Sequence, residues 1–396
     1  MTIVSEVDTK PASLPILDYS LLQYRDPENQ SEFISQLRSA LLSSGFFYIT
    51  NHGIAQDEMD QLFDLLKRFF ALPLEIKEEI AMEKSPYFRG YTRLCEEITD
   101  FVGIMYYYLD DPNIVDKGYN CLLYRFNISH LQKADNREEL DYAPEREPHR
   151  SFSPTTPIYY HLRGPNQWPT EDLVPGFRDS VLRFQQQANN VSITLMSAIA
   201  RSLELPPTFF EEAFGEESHS RLKLVRYPHL NEEGVEGHGL GVGPHKDGGY
   251  LTVLFQETVG GLQVQTRAGE WIDAHPIRGT AVINIGQQLE RLTKRAYVST
   301  THRVLNNPTS ERFSVPFFLC PRLDAVVSEI DVPQWILEKA MEIRGGDEWK
   351  SDVPEGELLQ KEVYGENAWR GVTRSHVNVL LRHYPEEAAR RGYVRK

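Results

Sequence analysis

The feature that most constrains the fold is a run of short β-rich segments, each bounded by glycine or a turn, between residues 221 and 323. Six such segments occur there: LKLVRY, YLTVLFQ, GLQVQ, TAVINIG, STTHRVL and FSVPFFL. Short strands in close succession, with no helices between them, are typical of an antiparallel sandwich or barrel. The sequence therefore predicts a mainly β core with flanking helices.

Helical periodicity dominates the chain before this core. Apolar residues recur at helical spacing over 30–42 and 56–70, and the buried strand GFFYIT stands between these two helices. A long helix is predicted over 173–203, where two prolines end it, and a short helix over 208–214. The stretch 138–178 is rich in proline, arginine and aromatic residues, which predicts a long ordered loop.

Composition excludes several classes of protein. The 42 Lys and Arg against 57 Asp and Glu give a net charge of −15, which argues against a nucleic-acid partner. The apolar runs are too short to predict a membrane span, since a spanning helix needs roughly 18 or more such residues. The three cysteines are odd in number and have no CxxC spacing, so we expect a reducing, cytoplasmic setting without a disulfide framework.

A histidine and an aspartate stand two positions apart at the head of one β segment, as His245 and Asp247. Side chains at i and i+2 of an extended chain point to the same face, so both converge while Lys246 faces away. His302 lies in a later segment, which the closure of a jelly roll brings alongside. Two histidines and a carboxylate form the facial triad of non-haem Fe(II) oxygenases, which leaves positions open for a bidentate cosubstrate and dioxygen.

A second pair with the same spacing, Arg312 and Ser314, follows in the last β segment. Both side chains share a strand face, so a planar guanidinium and a hydroxyl point the same way. An arginine fork suits a carboxylate that accepts two parallel hydrogen bonds. The pair therefore indicates a carboxylate site inside an apolar barrel.

With these residues in place, the sequence resembles the 2-oxoglutarate and Fe(II)-dependent dioxygenases of the isopenicillin N synthase type. The resemblance covers most of the chain. In the first half it rests on LPILDYS, SSGFFYITNHGI, LPLEIKEEI, FRGYTRLCEEIT, REELDYAPE, YHLRGPNQWP and PGFRDS. In the second half it rests on LKLVRYPHL, GVGPHKDGGYLTVLFQETVGGLQVQ, GEWIDAHPIRGTAVINIGQQLERLT, YVSTTHRV and RFSVPFFLCPRLD. Motifs of this length in this order are highly specific.

The resemblance implies a double-stranded β-helix, or jelly-roll, core and a set of site residues. The Fe(II) ligands that it implies are His245, Asp247 and His302. The residues that it implies for 2-oxoglutarate are Arg312 and Ser314 on the distal carboxylate, with Tyr227 lining the same pocket. The implied reaction converts 2-oxoglutarate and dioxygen to succinate and carbon dioxide while a small organic substrate is oxidised, with hydroxylation as the expected outcome.

Two residues are candidates for contact with the substrate. Phe318 lies four positions beyond Ser314 and therefore on the same strand face, where it is expected to form an aromatic wall. Arg89 lies in a loop where the family often builds its substrate mouth, and it is a candidate contact for an acidic substrate. A nucleobase, a flavonoid or terpenoid, a peptide and an amino-acid derivative all remain open as substrates.

Two other functions stay open beside this one. A ring-closing oxidase that does not use 2-oxoglutarate, as isopenicillin N synthase itself, shares the Arg312 and Ser314 pair. A catalytically inactive, cupin-like binding protein would be expected to lack at least one metal ligand, whereas all three are present. For either enzyme function the expected partner is a small-molecule substrate. The favoured oligomeric state is a monomer.

The chain divides into six predicted regions. They are a disordered lead (1–12), an N-terminal dioxygenase region (13–100), an unusual insertion (101–133), a loop with the central helix (134–220), the Fe(II)/2-oxoglutarate jelly-roll core (221–325) and a C-terminal helical extension (326–396). The insertion has a composition unlike its flanks. We consider two hypotheses for the insertion. It forms a lid over the site, or it is translated from a retained intron.

Overall fold

The structure is a computed structural model that describes residues 13–23, 26–97, 134–149, 153, 155–235, 239–326, 329–345 and 362–393. The predicted disordered lead and the predicted insertion both lie outside the described residues. The two hypotheses for the insertion therefore remain predictions.

Two sheets form the centre of the described chain. The strands are β1 (Ile16–Asp18), β2 (Phe46–Thr50), β3 (Gly90–Thr92), β4 (Glu138–Tyr142), β5 (Arg221–Tyr227), β6 (Leu240–His245), β7 (Leu251–Gln256), β8 (Leu262–Gln265), β9 (Trp271–Asp273), β10 (Thr280–Ile285), β11 (His302–Leu305) and β12 (Arg312–Leu319). The large sheet has the order β1-β2-β10-β7-β12-β5-β4-β3 and the small sheet the order β6-β11-β8-β9. Strands β1 and β2 are parallel. The strand pairs that form among β5 to β12 are antiparallel. This is the predicted mainly β, jelly-roll core.

Helices cover the large sheet and close the chain. They are α1 (Pro27–Ser43), α2 (Gln56–Phe70), α3 (Leu74–Lys77), α4 (Phe177–Ser202), α5 (Gln287–Leu292), α6 (Gln334–Ile343), α7 (Tyr364–Ser375), α8 (Val377–His383) and α9 (Pro385–Arg390). Short 3-10 helices lie at Tyr19–Leu22, Glu78–Ile80, Met82–Lys84 and Ile158–Leu162. Within the described chain, no helix combines the length and the apolar character needed to cross a membrane.

Local sequence explains where α1 begins and how α4 is placed. Asp26 caps α1, since its carboxylate accepts a 3.0 Å hydrogen bond from the backbone N–H of Glu28, and Pro27 occupies the first turn. Helix α4 lies against β7 and β12 of the large sheet. Its apolar stripe, which includes Phe184 and Leu195, is buried there.

The two faces of the large sheet have different surroundings. Along β12, Phe313, Val315 and Phe317 join the main hydrophobic core on the α4 side. Arg312 and Ser314 alternate with them, so they point into the space between the two sheets. A second, smaller hydrophobic core lies in that space, and its buried residues include Tyr48, Val225, Val242, Leu262 and Val304.

The structure corrects several sequence-based expectations. Two strands were missed in the core, β6 and β9, and β4 runs through the stretch predicted as a loop over 138–178. The segment 208–214, predicted as a helix, is a series of turns. Most of its hydrogen bonds run from a backbone N–H to the carbonyl three residues earlier, as from Glu211 to Thr208. Helix α4 begins at Phe177 rather than at 173, after Gly176 in the left-handed region with φ of 77°.

Candidate active site

The three predicted metal ligands come together where the small sheet meets the turn before β7. His245 at the end of β6 and His302 at the start of β11 are register partners, and their ring centroids lie 4.2 Å apart. The Asp247 Oδ1 atom is 3.7 Å from Nε2 of His245 and 3.8 Å from Nε2 of His302. All three donor atoms lie within 4.8 Å of one another, which is a spacing that one metal ion can bridge.

Backbone carbonyls fix the orientation of both imidazoles. Nδ1 of His245 lies 2.9 Å from the Gly243 carbonyl oxygen, and Nδ1 of His302 lies 3.1 Å from the Thr300 carbonyl oxygen. Because a carbonyl only accepts, Nδ1 carries the proton in each ring and Nε2 keeps its lone pair. Metal-binding histidines usually have this arrangement, so both Nε2 atoms are able to bind a metal.

The carboxylate of Asp247 is held in the same way. Its Oδ2 atom accepts hydrogen bonds from Oγ1 of Thr252 at 2.5 Å and from Nδ2 of Asn284 at 2.7 Å. These bonds use one carboxylate oxygen and leave Oδ1 facing the two histidines. The Asp247 backbone is also fixed, since its carbonyl accepts a 2.8 Å hydrogen bond from the Gln287 N–H.

A glycine allows the close backbone approach that shapes the turn carrying Asp247. The Gly286 N–H donates to the Tyr250 carbonyl at 3.0 Å. A Cβ atom at Gly286 would lie only 2.1 Å from the Gly249 carbonyl oxygen, so any other residue would push the turn away. The close contact between the start of α5 and this turn therefore depends on glycine at that position.

Burial and mutual charge set the protonation states of the ligands. Burial, together with the positive charge that His302 would carry, lowers the pKa of His245 to about 3. Burial acts to raise the pKa of Asp247, but the two histidines and the hydrogen bonds from Thr252 and Asn284 bring the net shift below the ordinary value. A neutral imidazole beside a carboxylate anion is the protonation state that binds a divalent cation. The donor set therefore fits Fe(II) by residue type and by state.

Arg312 is a fully buried cation on the inner face of β12, with an exposed fraction of 1%. Its Nη1 donates to Oγ of Ser314 at 3.2 Å, and its Nη2 donates to Oε1 of Gln256 at 2.9 Å. The guanidinium carbon lies 4.7 Å from the ring centroid of Tyr227, which is the register partner of Arg312 on β5. The structure thus brings the three residues predicted for 2-oxoglutarate into one cluster.

The charge of Arg312 has no counter-ion among the residues that the structure describes. Its hydrogen-bond acceptors there are a hydroxyl and an amide, and Nε is buried without a partner. Burial accordingly lowers the pKa of the guanidinium, partly offset by Tyr227. A buried charge is costly unless it is paired, so this cluster favours an anionic ligand that supplies the missing carboxylate.

The two predicted substrate contacts have different positions. Phe318 is half-buried on the same face of β12 as Ser314 and pairs in register with Thr252, which holds Asp247. Arg89 is not brought to the metal ligands. Its guanidinium is buried and donates to the backbone carbonyls of residues 87, 88 and 162 at 3.0, 3.2 and 2.9 Å, so it holds two loops together.

Sequence reasoning missed three residues that complete the site. Thr252 and Asn284 hold Asp247, and Gln256 holds Arg312. For Thr252 and Gln256 the sequence does contain a signal. Both are polar residues in the otherwise apolar strand β7, and their spacing places them on the same strand face.

Comparison with known proteins agrees with this geometry. Residues 14–171 match the family described as "non-haem dioxygenase in morphine synthesis N-terminal". Residues 219–321 match the 2OG-Fe(II) oxygenase superfamily. One similar curated protein is the 2-oxoglutarate-dependent dioxygenase frbJ of Dothideomycetidae sp. (strain 11243), 39% identical over 325 residues, which are 81% of this chain and 78% of that one.

Two further comparisons extend the likeness. The homoarginine-6-hydroxylase 2-ODD-C23 of Glycine max is 31% identical over 81% of this chain and 89% of its own length. A full-length protein of Neurospora crassa, solved as a crystal structure in complex with alpha-KG, is 26% identical with a TM-score of 0.63, and the match covers 82% of this chain and 90% of that one.

The fold and the clustered residues define a non-haem iron oxygenase of jelly-roll architecture. The chain belongs to the 2OG-Fe(II) oxygenase superfamily, within the isopenicillin N synthase-like family. It is a 2-oxoglutarate-dependent dioxygenase with Fe(II) as its metal, 2-oxoglutarate and dioxygen as cosubstrates and a small molecule as its substrate.

Proposed function

We propose that the protein hydroxylates a small organic molecule, with Fe(II) held by His245, Asp247 and His302. We further propose that Arg312 binds the distal carboxylate of 2-oxoglutarate, with Ser314 and Tyr227 lining that pocket. The observation that carries this proposal is the buried Arg312 guanidinium, which has no carboxylate partner among the described residues. A dicarboxylate cosubstrate supplies that partner at one end and a pair of metal-binding oxygens at the other.

The residues of the chain act by binding and by positioning. Oδ1 of Asp247 and Nε2 of each histidine face one point, while hydrogen bonds behind them prevent rotation away from it. Gln256 and Ser314 hold the Arg312 fork, so that its direction is set before the cosubstrate arrives. Phe46 packs edge-on to the ring of His302, with the ring centroids 5.2 Å apart, and so supports the position of that imidazole.

The bound Fe(II) supplies the activation of dioxygen, which the side chains themselves do not perform. Phe318 lies on the same strand face as the proposed cosubstrate site, beside Thr252, and contributes an apolar surface against which a substrate carbon is oriented. An apolar lining of this kind keeps water and stray reductants from the reacting atoms.

Hydroxylation is the outcome that the relatives favour. One similar curated protein is named a homoarginine-6-hydroxylase, and its match extends over most of both chains. The Arg312 and Ser314 pair alone does not separate this reaction from that of a ring-closing oxidase without 2-oxoglutarate, but membership of the 2-oxoglutarate-dependent dioxygenases disfavours that oxidase.

The test is turnover by the full chain with Fe(II), 2-oxoglutarate and dioxygen. We expect succinate to form, and His302→Ala to abolish its formation while the far-UV circular dichroism is unchanged. Incorporation of one oxygen atom into a substrate, detected by mass spectrometry with labelled dioxygen, supports hydroxylation. Oxygen consumption that is independent of 2-oxoglutarate would contradict the proposal and favour the ring-closing oxidase.

We also propose a reducing, cytoplasmic setting and a monomeric state. Support for the setting comes from Cys320, which is buried and forms no disulfide among the described residues. Size-exclusion chromatography with light scattering tests the monomer, and a mass twice that of the chain would contradict it.

A further inference from the structure

Strands β4 and β5 carry charged side chains on the face that looks into the space between the sheets. Their alternate residues, such as Leu140 and Leu224, point the other way into the main hydrophobic core. The residues of this charged wall are Glu97, Asp135, Arg137, Glu139, Asp141, Arg221 and Lys223. Its four carboxylates are at least nine-tenths buried.

The charges of the wall are paired in an alternating series. Lys223 donates through Nζ to Glu97 at 3.0 Å and also to Glu139. Arg137 donates through Nη2 to the same Glu97 carboxylate at 2.8 Å. At the far end Nη2 of Arg221 contacts Oδ1 of Asp141 at 2.5 Å. Positive and negative groups therefore alternate across the charged wall, which the residues of β4 and β5 form together with Glu97, Asp135 and Arg137.

The wall adjoins the candidate metal and cosubstrate sites. Oδ1 of Asp135 accepts a 3.4 Å hydrogen bond from the Gly243 N–H, two residues before His245. The Asn136 N–H donates to the Leu240 carbonyl at 3.0 Å, so a second hydrogen bond joins this part of the wall to β6. At the other end of the wall, Arg221 is the register partner of Phe318 across β5 and β12. A molecule placed beside the metal and against Phe318 therefore meets the wall.

Several polar atoms of the wall lack a hydrogen-bond partner among the described residues. Oε2 of Glu139 and Oδ2 of Asp141 make no hydrogen bond, and their cation partners lie at ion-pair distance only, Nε of Arg137 at 3.4 Å and Nζ of Lys223 at 3.6 Å. Nε of Arg221 makes no hydrogen bond either. His376, which is only 4% exposed and follows α7, adds an unpartnered Nε2, and its ring faces Glu97 and Glu139. Buried polar atoms normally make hydrogen bonds, so each of these atoms can still gain one from a ligand.

A second metal ion is a less suitable occupant of the same place. Glu97, Glu139 and His376 have ligand atoms within 4.8 Å of one another, as a metal site requires. However, the Lys223 ammonium already lies between the two carboxylates and bonds to both. A divalent cation would have to displace a buried ammonium that is itself the counter-ion of these groups.

We infer that the charged wall is the substrate-recognition surface and that the substrate is a small dipolar molecule bearing both a carboxylate and a protonated amine or guanidine. This inference rests on the proposed function and names its substrate class. A molecule with both charges satisfies acceptors such as Glu139 and donors such as Arg221 together. A neutral apolar molecule leaves both unsatisfied, and a molecule with only one of the two charged groups leaves either the donors or the acceptors unsatisfied.

The test measures substrate-stimulated succinate formation by the Fe(II)-loaded full chain. The probes are the twenty protein amino acids, agmatine, 5-guanidinopentanoate, thymine and naringenin. We expect at least one amino acid to accelerate succinate formation tenfold or more over the rate without substrate. Agmatine lacks the carboxylate of arginine and 5-guanidinopentanoate lacks its α-amine, so each is expected to be weaker than arginine if arginine is the active probe.

Variants separate recognition from folding. Glu139→Gln keeps the shape of the side chain, and we expect it to raise the KM for the active amino acid at least tenfold with an unchanged KM for 2-oxoglutarate. Lys223→Met is a second variant with the same expectation. Glu145→Gln, which removes a carboxylate paired with Arg178 outside the wall, is the matched control and should leave both constants unchanged.

Failure of this inference is distinguishable from failure of the proposed function. Binding of Fe(II) and 2-oxoglutarate requires no substrate, so the visible absorption band of that complex reports the proposed function alone. With the band present, stimulation by thymine or naringenin but by no amino acid would overturn the inference, as would the absence of stimulation by every amino acid. An unchanged KM in both wall variants would also overturn it.

Discussion

Arg312 on β12 and Gln256 on β7 are joined by a hydrogen bond of 2.9 Å from Nη2 to Oε1. The pair lies inside the barrel, where Gln256 is the register partner of Ser314. An amide is neutral, so it orients the guanidinium without cancelling its charge. The charge of Arg312 therefore stays available for the carboxylate of a ligand. An aspartate or glutamate in place of Gln256 would neutralise that charge.

Removal of this amide should weaken the binding of 2-oxoglutarate moderately. We expect Gln256→Ala to raise the dissociation constant of 2-oxoglutarate about fivefold, equivalent to about 1 kcal/mol for one hydrogen bond. The measurement is a titration of the Fe(II) protein under anaerobic conditions. Gln263→Ala is the control, because Gln263 accepts a similar 2.9 Å bond from Arg303 on the small sheet. Equal affinities in wild type and Gln256→Ala would contradict the assignment.

The hydrogen bonds behind Asp247 should set the affinity for iron. Thr252→Val keeps the side-chain shape but removes the hydroxyl that donates to Oδ2 of Asp247. We expect Fe(II) affinity to fall about 10- to 100-fold, as is typical when a group that orients a metal ligand is lost. Competition with a chelator measures this. Thr194→Val is the control, since that hydroxyl lies on α4 and donates to the Asn190 carbonyl, and a Thr252→Val protein with wild-type affinity would refute the expectation.

The thiol of Cys320 should be unreactive in the folded protein. Burial raises its pKa to about 11, so at pH 7 to 8 the group is almost entirely protonated, and the thiol form is a poor nucleophile. Cys95 is more exposed and should be alkylated first by iodoacetamide. Peptide mapping after timed labelling compares the two. Labelling of Cys320 at the rate of Cys95 before unfolding would show that the described packing is wrong.

The contact between α4 and the large sheet should account for a large part of the stability. Leu195 is fully buried on the side of α4 that faces the main core. We expect Leu195→Ala to lower the free energy of unfolding by about 2 to 5 kcal/mol. The substitution Gln186→Ala, at an exposed position of the same helix, should change it by less than about 0.5 kcal/mol. Urea denaturation measures both, and similar values for the two variants would argue against this packing.

The sequence predicted those parts of the site that depend on short spacing. His245 with Asp247, and Arg312 with Ser314, are pairs at i and i+2 whose shared strand face follows from backbone geometry alone. The long-range meeting of His302 with His245 was expected from the jelly roll, and the structure brings these residues into register. Their roles as ligands remain a proposal that mutation can test.

Other elements were missed because tertiary context overrides local pattern. Strand β6 contains glycine and proline, which argue against a strand, yet its pairing with β11 forms it. The segment around β4 reads as alternating charged and apolar residues, which normally indicates one solvated face. In the folded chain that polar face is buried inside the barrel, where Glu139 and Asp141 meet Lys223 of the neighbouring strand.

In the proposed site, three residues bind Fe(II) and Arg312 anchors 2-oxoglutarate beside them. The most direct measurement is an anaerobic titration of the apo-protein with Fe(II) and 2-oxoglutarate, followed by visible absorption, for wild type and Arg312→Ala. We predict a weak charge-transfer band in the wild type that is strongly reduced in Arg312→Ala at the same 2-oxoglutarate concentration. A folded wild-type protein that gives no band, or a variant with an unchanged band and affinity, would contradict the account.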